Sequence, residues 1–196
     1  MAPEVADITL VPLNDAEYAE FAELQIVENA RQHINAGEWT AEEAVSRARE
    51  GLEGLLADTL RGAGDVFLKG VDVDGRRVGW VWVAPAPTAI AVARSGLTAF
   101  LGEDREHKRW LSQITIEEAR RERGYGRALS VALHRWLDAQ GVEELWLRVY
   151  NWNDAARRLY TWAGYEVMRQ FPTDAHLRRR LVPRLSEVGA EANYLP

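Results

Sequence analysis

The most informative segment of the sequence is Ile114-Thr-Ile-Glu-Glu-Ala-Arg-Arg121-Glu-Arg-Gly124-Tyr-Gly126-Arg127. A β-strand predicted over residues 110–116 leads into a loop with two close glycines, and a helix predicted over residues 126–140 follows at once. Glycine lets backbone N–H groups approach a ligand without a Cβ in the way. The first N–H groups of a helix lack internal partners, and the helix dipole favours an anion there. The loop is therefore predicted to bind a phosphate or a pyrophosphate.

The basic residues of the loop strengthen the prediction of a phosphate site. The spacing of its glycines limits which class of phosphate-binding loop it can be. Four arginines surround the turn: Arg120, Arg121, Arg123 and Arg127. Guanidinium groups bind phosphate oxygens in a fork geometry. The loop is not a Walker loop, since no Gly-Lys-Ser/Thr follows, and it lacks the third glycine and the acidic residue of a dinucleotide fingerprint. Arg121-x-x-Gly124-x-Gly126 instead resembles the acyl-CoA loop of the GNAT superfamily of N-acetyltransferases, whose pattern is Gln/Arg-x-x-Gly-x-Gly/Ala.

A second segment carries the same resemblance. It reads Leu145-Trp-Leu-Arg-Val-Tyr-Asn-Trp-Asn153-Asp-Ala-Ala-Arg-Arg-Leu-Tyr160-Thr-Trp-Ala-Gly164-Tyr165. This is similar to the next part of the family, in which a strand and an Asn precede Ala-x-x-Leu-Tyr and Gly-Phe/Tyr. The two segments lie in the right order and together cover about residues 110–171. The N-terminal half resembles a bacterial subgroup of uncharacterised family members.

The remaining patterns agree with that order of elements. The N-terminal half predicts a strand over residues 8–13, a helix capped by Asn14 or Asp15, a helix that begins with a capping box at Thr40–Glu43, and a hairpin of residues 66–73 and 77–83. Strands and helices alternate in the second half, which predicts an α/β or α+β sheet sandwich. We expect one domain over residues 1–171 and a C-terminal extension over residues 172–196.

The resemblance implies a GNAT-type fold, with a mixed, mostly antiparallel sheet, helices on both faces and two middle strands that splay apart. Splaying leaves backbone groups without partners, and the amides of an extended pantetheine arm can supply them. The family positions that would bind acetyl-CoA are Ile114, Thr115, Ile116, Arg121, Glu122, Arg123, Gly124, Tyr125, Gly126, Arg127, Asn153 and Tyr160. Asn153 would hydrogen-bond the cofactor arm or the following loop.

The implied reaction is the transfer of an acetyl group from acetyl-CoA, the acyl-donor substrate, to an amine. The amine would attack the thioester directly, and a backbone N–H near Ile116 would stabilise the oxyanion. Tyr160 would protonate the leaving thiolate, being placed by family position beside the CoA sulfur. The competing interpretation of Tyr160 is a core aromatic on a short helix.

No general base is assigned. Many family members place a Glu in the strand before the loop, but Trp110 stands at the corresponding position here. Glu117 and Glu118 lie at the strand end, near the predicted phosphate site. Other acidic or imidazole groups precede the strand and are predicted to form a solvated charge run: Glu103, Asp104, Glu106 and His107.

Composition limits the remaining function classes. The 196 residues carry a formal net charge of −6 and no cysteine, so disulfides and thiolate metal sites are excluded. The four histidines show no metal spacing, and no metal is expected. The acidic balance argues against nucleic-acid binding. No apolar run is long enough to span a membrane, and the first residues lack a signal pattern, so a cytoplasmic protein is expected. The oligomeric state stays open, with a homodimer among the options.

Alternatives remain at several points. A non-catalytic acyl-CoA-binding module with a regulatory role is the second hypothesis, and a nucleotide or aminoacyl-tRNA user would need a basic surface. The acceptor stays open among small amines, antibiotics, amino acids and protein amines. Core or sheet-face positions are predicted for Trp80, Trp82, Trp136 and Trp146. The other four tryptophans could line an acceptor pocket, although packing is expected for at least two of them: Trp39, Trp110, Trp152 and Trp162. His134 is predicted at the surface, and Arg178–Arg180 in a solvated face or flexible end.

Overall fold

The computed structural model describes residues 7–59, 64–86 and 105–181. Its strands are β1 (Thr9–Pro12), β2 (Val66–Val71), β3 (Arg77–Pro85), β4 (Lys108–Ile116), β5 (Glu144–Tyr150), β6 (Glu166–Gln170) and β7 (Asp174–Arg180). Its helices are α1 (Asp15–Asn35), α2 (Ala44–Thr59), α3 (Tyr125–Ala139) and α4 (Asp154–Trp162), and a 3₁₀ turn spans Glu118–Arg120. Most of the connection between β3 and β4, and the residues beyond Leu181, lie outside the described residues.

The strands form one seven-stranded sheet in the order β1-β2-β3-β4-β5-β7-β6. Every neighbouring pair is antiparallel except β4 and β5, which run parallel. The predicted α+β class, with its mixed and mostly antiparallel sheet, is therefore confirmed. The predicted strands and helices also match the observed ones to within a few residues, apart from the segment discussed below.

The two middle strands part along most of their length. Lys108, Arg109 and Trp110 of β4 pair with Glu144, Leu145 and Trp146 of β5, and the pairing ends there. Beyond Trp110, β4 continues to pair with β3, while β5 continues to pair with β7. The predicted splay is thus confirmed, and it opens a wedge in the middle of the sheet.

Helices cover both faces of the sheet. Along β3, Trp80 and Trp82 point into a buried cluster with Phe21 of α1, whereas Val81 and Val83 point into a second cluster with Leu129 of α3. This alternation is what a strand buried on both faces requires. The second cluster contains Leu129 of α3 and Tyr160 of α4, and Tyr160 is one of the positions expected to bind the acyl donor. We therefore call this cluster the donor-side core, and we call the opposite face of the sheet the α1/α2 face.

Local signals explain several of these elements. Asn14 caps α1 with a complete capping box, because its side chain accepts from Glu17 N and the Glu17 carboxylate accepts from Asn14 N. Gly75 has φ +74° in the hairpin turn between β2 and β3. Gly79 allows β3 to approach β4 closely, since a Cβ there would lie 2.2 Å from the Thr115 carbonyl oxygen.

The domain boundary predicted after residue 171 falls too early. Asp174–Arg180 forms β7, which lies between β5 and β6 and pairs with both. Arg178 is not part of a flexible end, because its side chain is 14% exposed and forms ion pairs with Glu144 and Glu166 at 3.5 and 2.9 Å. Partner carboxylates on β5 and β6 therefore allow an arginine-rich strand to lie inside the sheet.

His134 is buried in α3 rather than exposed. Its Nε2 lies 3.1 Å from the Tyr165 hydroxyl, and both side chains are buried. Burial, with a further contribution from the positive charge of Arg179, lowers the pKa of His134 to about 3. The core predictions for Trp80, Trp82 and Trp146 are confirmed, and Trp136 packs half-buried against the donor-side core.

Of the helices in the described part of the chain, none combines the length and the apolar character that crossing a membrane demands.

The buried His134 predicts a pH-dependent stability. The unfolded chain takes up this proton near pH 6.5, whereas the folded chain does so only near pH 3, so stability falls as the pH drops below 6.5. Between pH 7 and pH 5 we expect His134 to cost the wild type about 2 kcal/mol in the free energy of unfolding. Urea denaturation of wild type and His134→Gln at both pH values measures this difference, and equal losses in the two proteins would contradict it.

Candidate active site

The loop after β4 presents free backbone donors at the start of α3. Gly124 is the N-cap of the helix, with φ +85°, and its carbonyl accepts from Arg127 N and Ala128 N. Among the described residues, the N–H groups of Tyr125 and Gly126 donate to no other group. These donors, together with the helix dipole, make a site for an anion.

The two glycines of the loop have different surroundings. A Cβ on Gly124 would meet no atom within 4 Å, so this position faces open space. A Cβ on Gly126 would lie 3.7 Å from the Leu159 side chain and 3.9 Å from that of Ile116. Gly124 therefore leaves room for a ligand against the loop, and Gly126 lies where β4, α3 and α4 meet. Glu122 also has a positive φ, of 61°, in the same turn.

Three of the four loop arginines remain on the solvent side. Arg121, Arg123 and Arg127 are exposed, and Arg121 Nε donates to the Ile116 carbonyl at 3.1 Å. Arg120 departs from the sequence interpretation, because it forms an ion pair with Asp72 at 3.3 Å and donates to the Tyr125 hydroxyl at 3.1 Å. It thus ties the loop to the β2–β3 hairpin instead of facing an anion.

The wedge offers a strand edge that the sheet leaves unpaired. Leu111–Ile116, which includes the predicted Ile114, Thr115 and Ile116, pairs with β3 on one side and with no part of β5 on the other. The pairing of β3 with β4 skips Ser112, so β4 is irregular where it leaves β5. Backbone groups on this edge need a partner, and an extended amide chain can provide one.

Tyr160 lies on α4 in the donor-side core. It is 8% exposed, and its ring centroid lies 5.3 Å from that of Tyr165. Burial raises the pKa of the Tyr160 hydroxyl, so this group stays protonated over the ordinary pH range. Within the described residues its hydroxyl has no hydrogen-bond partner.

Asn153 begins the helix that carries Tyr160. Its Oδ1 accepts a hydrogen bond from Ala156 N at 3.2 Å, which caps α4. The Nδ2 group and the second lone pair of Oδ1 stay available for the predicted contact of Asn153 with a ligand.

The acidic candidates for a general base do not converge on the wedge. Glu117 forms an ion pair with Arg77 at 2.5 Å. Glu118, Glu106 and His107 are exposed, in agreement with a solvated charge run. Glu103 and Asp104 lie outside the described residues. In the described part of the chain, no group of three or more His, Cys, Asp or Glu side chains is arranged to hold a metal ion.

Three of the four tryptophan candidates divide between two places. Trp39 stacks on His33 with ring centroids 3.8 Å apart, and Trp152 stacks on Tyr150, which itself contacts His33. Trp162 lies elsewhere, under the Arg127 guanidinium at 5.0 Å. These contacts bring Trp39 and Trp152 together at the end of β5 and leave Trp162 apart.

Sequence reasoning missed one polar group near the wedge. His176 of β7 is 5% exposed and contacts Trp110, with ring centroids 5.8 Å apart. It was missed because residues beyond 171 were assigned to an extension, and a lone histidine carries no sequence signal of its own.

The chain matches the family model described as the Acetyltransferase (GNAT) family over residues 27–165. It belongs to that family, and it is an acyltransferase. Two curated relatives are uncharacterised N-acetyltransferases of Bacillus subtilis. YdgE is 22% identical over 173 residues, covering 88% of this chain and 98% of the relative. YycN is 23% identical over 163 residues, covering 81% of this chain and 92% of the relative.

Solved structures show the same fold. The crystal structure of YycN has a TM-score of 0.71 at 21% identity and covers 84% of this chain and 95% of its own. The PaiA N-acetyltransferase of Thermoplasma acidophilum, in complex with coenzyme A, has a TM-score of 0.62 at 17% identity, with 89% and 99% covered. The spermidine N-acetyltransferase of Vibrio cholerae, in complex with CoA and spermine, has a TM-score of 0.58 at 14% identity, with 89% and 96% covered.

The cap on α4 gives a test of how the Tyr160 helix is held. We expect Asn153→Ala to lower the free energy of unfolding by about 1 kcal/mol, because Ala156 N loses its acceptor. Asn153→Ser is the matched control, since a serine oxygen can cap the helix in the same way. Chemical denaturation of the three proteins measures the effect, and equal stability of the alanine and serine variants would contradict it.

Proposed function

We propose that this acyltransferase is an N-acetyltransferase that moves the acetyl group of acetyl-CoA to an amine by direct attack on the thioester. The observation that carries the proposal is the parting of β4 from β5 after Trp110. The unpaired edge and the free N–H groups of α3 lie on the same continuous segment of chain, from Leu111 to Gly126. A ligand with an amide-containing arm and a pyrophosphate matches that combination.

The donor would be bound by two kinds of main-chain contact. The pantetheine amides would pair with Ile114, Thr115 and Ile116 as a strand adds to a sheet edge. The pyrophosphate would accept from the N–H groups at the start of α3, and the exposed guanidinium groups of the loop would add charge-assisted hydrogen bonds. The PaiA structure, which holds coenzyme A in the same fold, supports this assignment.

The chemistry would be completed by groups on both sides of the wedge. The amine must be unprotonated to attack, and the carbonyl oxygen then gains charge that a preorganised backbone N–H of the unpaired β4 segment would stabilise. As the C–N bond forms and the C–S bond breaks, the CoA thiolate would take the proton of the Tyr160 hydroxyl. The nitrogen would lose one proton to solvent, and Tyr160 would regain one from solvent. The raised pKa of Tyr160 supports this role, because the group stays protonated until it is needed.

Turnover is the direct test of the proposed function. The protein is incubated with acetyl-CoA and a panel of amines that comprises spermidine, tyramine, L-lysine, kanamycin and a short peptide, and free CoA thiol is titrated. We expect thiol release above the amine-free rate with at least one amine. Tight acetyl-CoA binding without turnover across a broad panel would favour the non-catalytic acyl-CoA-binding module instead.

Gly124 tests the donor site. We expect Gly124→Trp to weaken acetyl-CoA binding at least tenfold, because an indole would fill the open space against the free N–H groups of the loop. Gly124→Ala is the control, since it carries the same cost of a non-glycine residue at positive φ without the bulk. Isothermal titration measures both affinities, and thermal unfolding checks the fold. An unchanged affinity in the tryptophan variant would contradict the loop assignment.

Tyr160 tests the acid. We expect Tyr160→Phe to lower kcat at least tenfold with little change in the affinity for acetyl-CoA, since only the proton donor is removed. The fold should persist, because the ring stays in the donor-side core and its hydroxyl bonds no described residue. Steady-state kinetics from pH 6 to 10 measure the effect, and a wild-type rate throughout would remove Tyr160 from the mechanism.

A further inference from the structure

One buried imidazole nitrogen is left without a partner beside the wedge. His176 is 5% exposed, and its Nδ1 is fully buried with no hydrogen bond in the described structure. Leaving a polar atom in this state is unfavourable, and buried polar atoms in folded proteins are nearly always hydrogen-bonded. An unpaired nitrogen of this kind is explained if its partner is a substrate or a water that arrives with the substrate.

His176 lies close to the point where β4 and β5 part. Ala175 and Leu177 point into the donor-side core, so His176 points to the α1/α2 face. Trp110 and Trp146, which form the last pair before β4 and β5 part, belong to a cluster outside the donor-side core. The Trp110 ring meets the His176 ring edge-on at 5.8 Å. His176 thus reaches the closed end of the wedge from the face opposite Tyr160.

This contact matters because Trp110 itself cannot act as a base, since an indole has a hydrogen-bond donor and no basic nitrogen. The imidazole of His176 reaches the Trp110 ring from β7, across β5. A basic group therefore lies beside the last residue of β4 that pairs with β5.

Charged neighbours set the protonation state of His176. Asp174 Oδ1 on the same strand lies 3.9 Å from Nε2. Asp174 itself is held by Arg148 Nε of β5 at 3.3 Å and accepts from Thr173 Oγ1 at 3.1 Å. Burial lowers the pKa of His176, Asp174 raises it, and the positive charges of Arg148 and of Arg169 on β6 lower it further. The net effect keeps the imidazole neutral at neutral pH, so Nδ1 is able to accept a proton.

We propose that His176 is the general base of the reaction, and that its Nδ1 accepts the proton of the acceptor ammonium group through a water that enters with the substrate. The inference rests on the proposed function. Once this first proton has moved to Nδ1, the neutral amine nitrogen forms the C–N bond, the C–S bond breaks, and the thiolate takes the Tyr160 proton. The nitrogen then loses its second proton to solvent, Tyr160 regains a proton from solvent, and His176 releases its proton to solvent, so that the products are the neutral amide, CoA thiol and one proton. Asp174 stabilises the imidazolium that forms between these steps.

Two variants separate this role from a general loss of activity. His176→Gln keeps a polar side chain of similar size but removes the base, and His107→Gln changes an exposed histidine at the start of β4. We assay both with the amine of the panel that gives the highest wild-type turnover. We expect kcat to fall at least 100-fold in His176→Gln, with the affinity for acetyl-CoA within twofold of wild type, and no change in His107→Gln.

Chemical rescue by imidazole distinguishes a base from a structural residue, because added imidazole can replace a missing base but not missing packing. In His176→Ala, added imidazole should restore turnover in a concentration-dependent way, and it should not stimulate wild type or His107→Gln. The acetylated amine is quantified by mass spectrometry, because imidazole itself can take the acetyl group and release thiol.

The outcomes distinguish the two proposals. A His176→Gln rate within threefold of wild type, or a loss that imidazole does not restore in His176→Ala, overturns the base assignment and leaves the acetyltransferase function standing. Wild-type protein that binds acetyl-CoA but acetylates no amine of the panel overturns the proposed function, and the base assignment with it.

Discussion

The arrangement of the candidate site depends on the hydrogen bonding of one strand edge, the edge of β4 that faces β5. β4 pairs with β3 from Arg109 to Ile116, interrupted only at Ser112, but β5 pairs with the other edge of β4 over only three residue pairs. Backbone donors and acceptors need partners, so an edge exposed in the middle of a sheet is a binding surface. The loop that follows this edge and the helix after it then lie at the mouth of the wedge, where α3 offers its free N–H groups.

The outer edges of the two middle strands are both paired. β5 pairs with β7 from Glu144 to Tyr150, and β4 pairs with β3 from Arg109 to Ile116. Gly79 allows the close approach of β3 to β4 in one half of the sheet, and the ion pairs of Arg178 join β7 to β5 and β6 in the other half. The wedge therefore lies between two halves of the sheet, each of which is joined internally.

The part of this arrangement that sequence could predict is the local part. The glycine loop, the cap at Asn14 and the hairpin at Gly75 each depend on residues close together in the chain. β7 escaped prediction because its Arg178-Arg179-Arg180 run has the composition of a solvated tail, and only partners on distant strands compensate its charge. The burial of His134 and His176 could not be predicted for a related reason, since it depends on contacts with Tyr165 and Trp110 from other elements. The general base could not be found from the family position because that position holds Trp110.

The two faces of the sheet divide the proposed chemistry. Tyr160 and the start of α3 belong to the donor side, whereas alternation along β7 places Asp174 and His176 on the α1/α2 face. A thioester held in the wedge would present its sulfur to the acid on one face and its carbonyl carbon to an amine on the other. Direct attack needs this separation, because the nucleophile must lose a proton while the leaving group gains one. A sheet that opens between two parallel strands can separate the acid from the base in this way. The side chains involved come from strands and helices whose positions are fixed by the core.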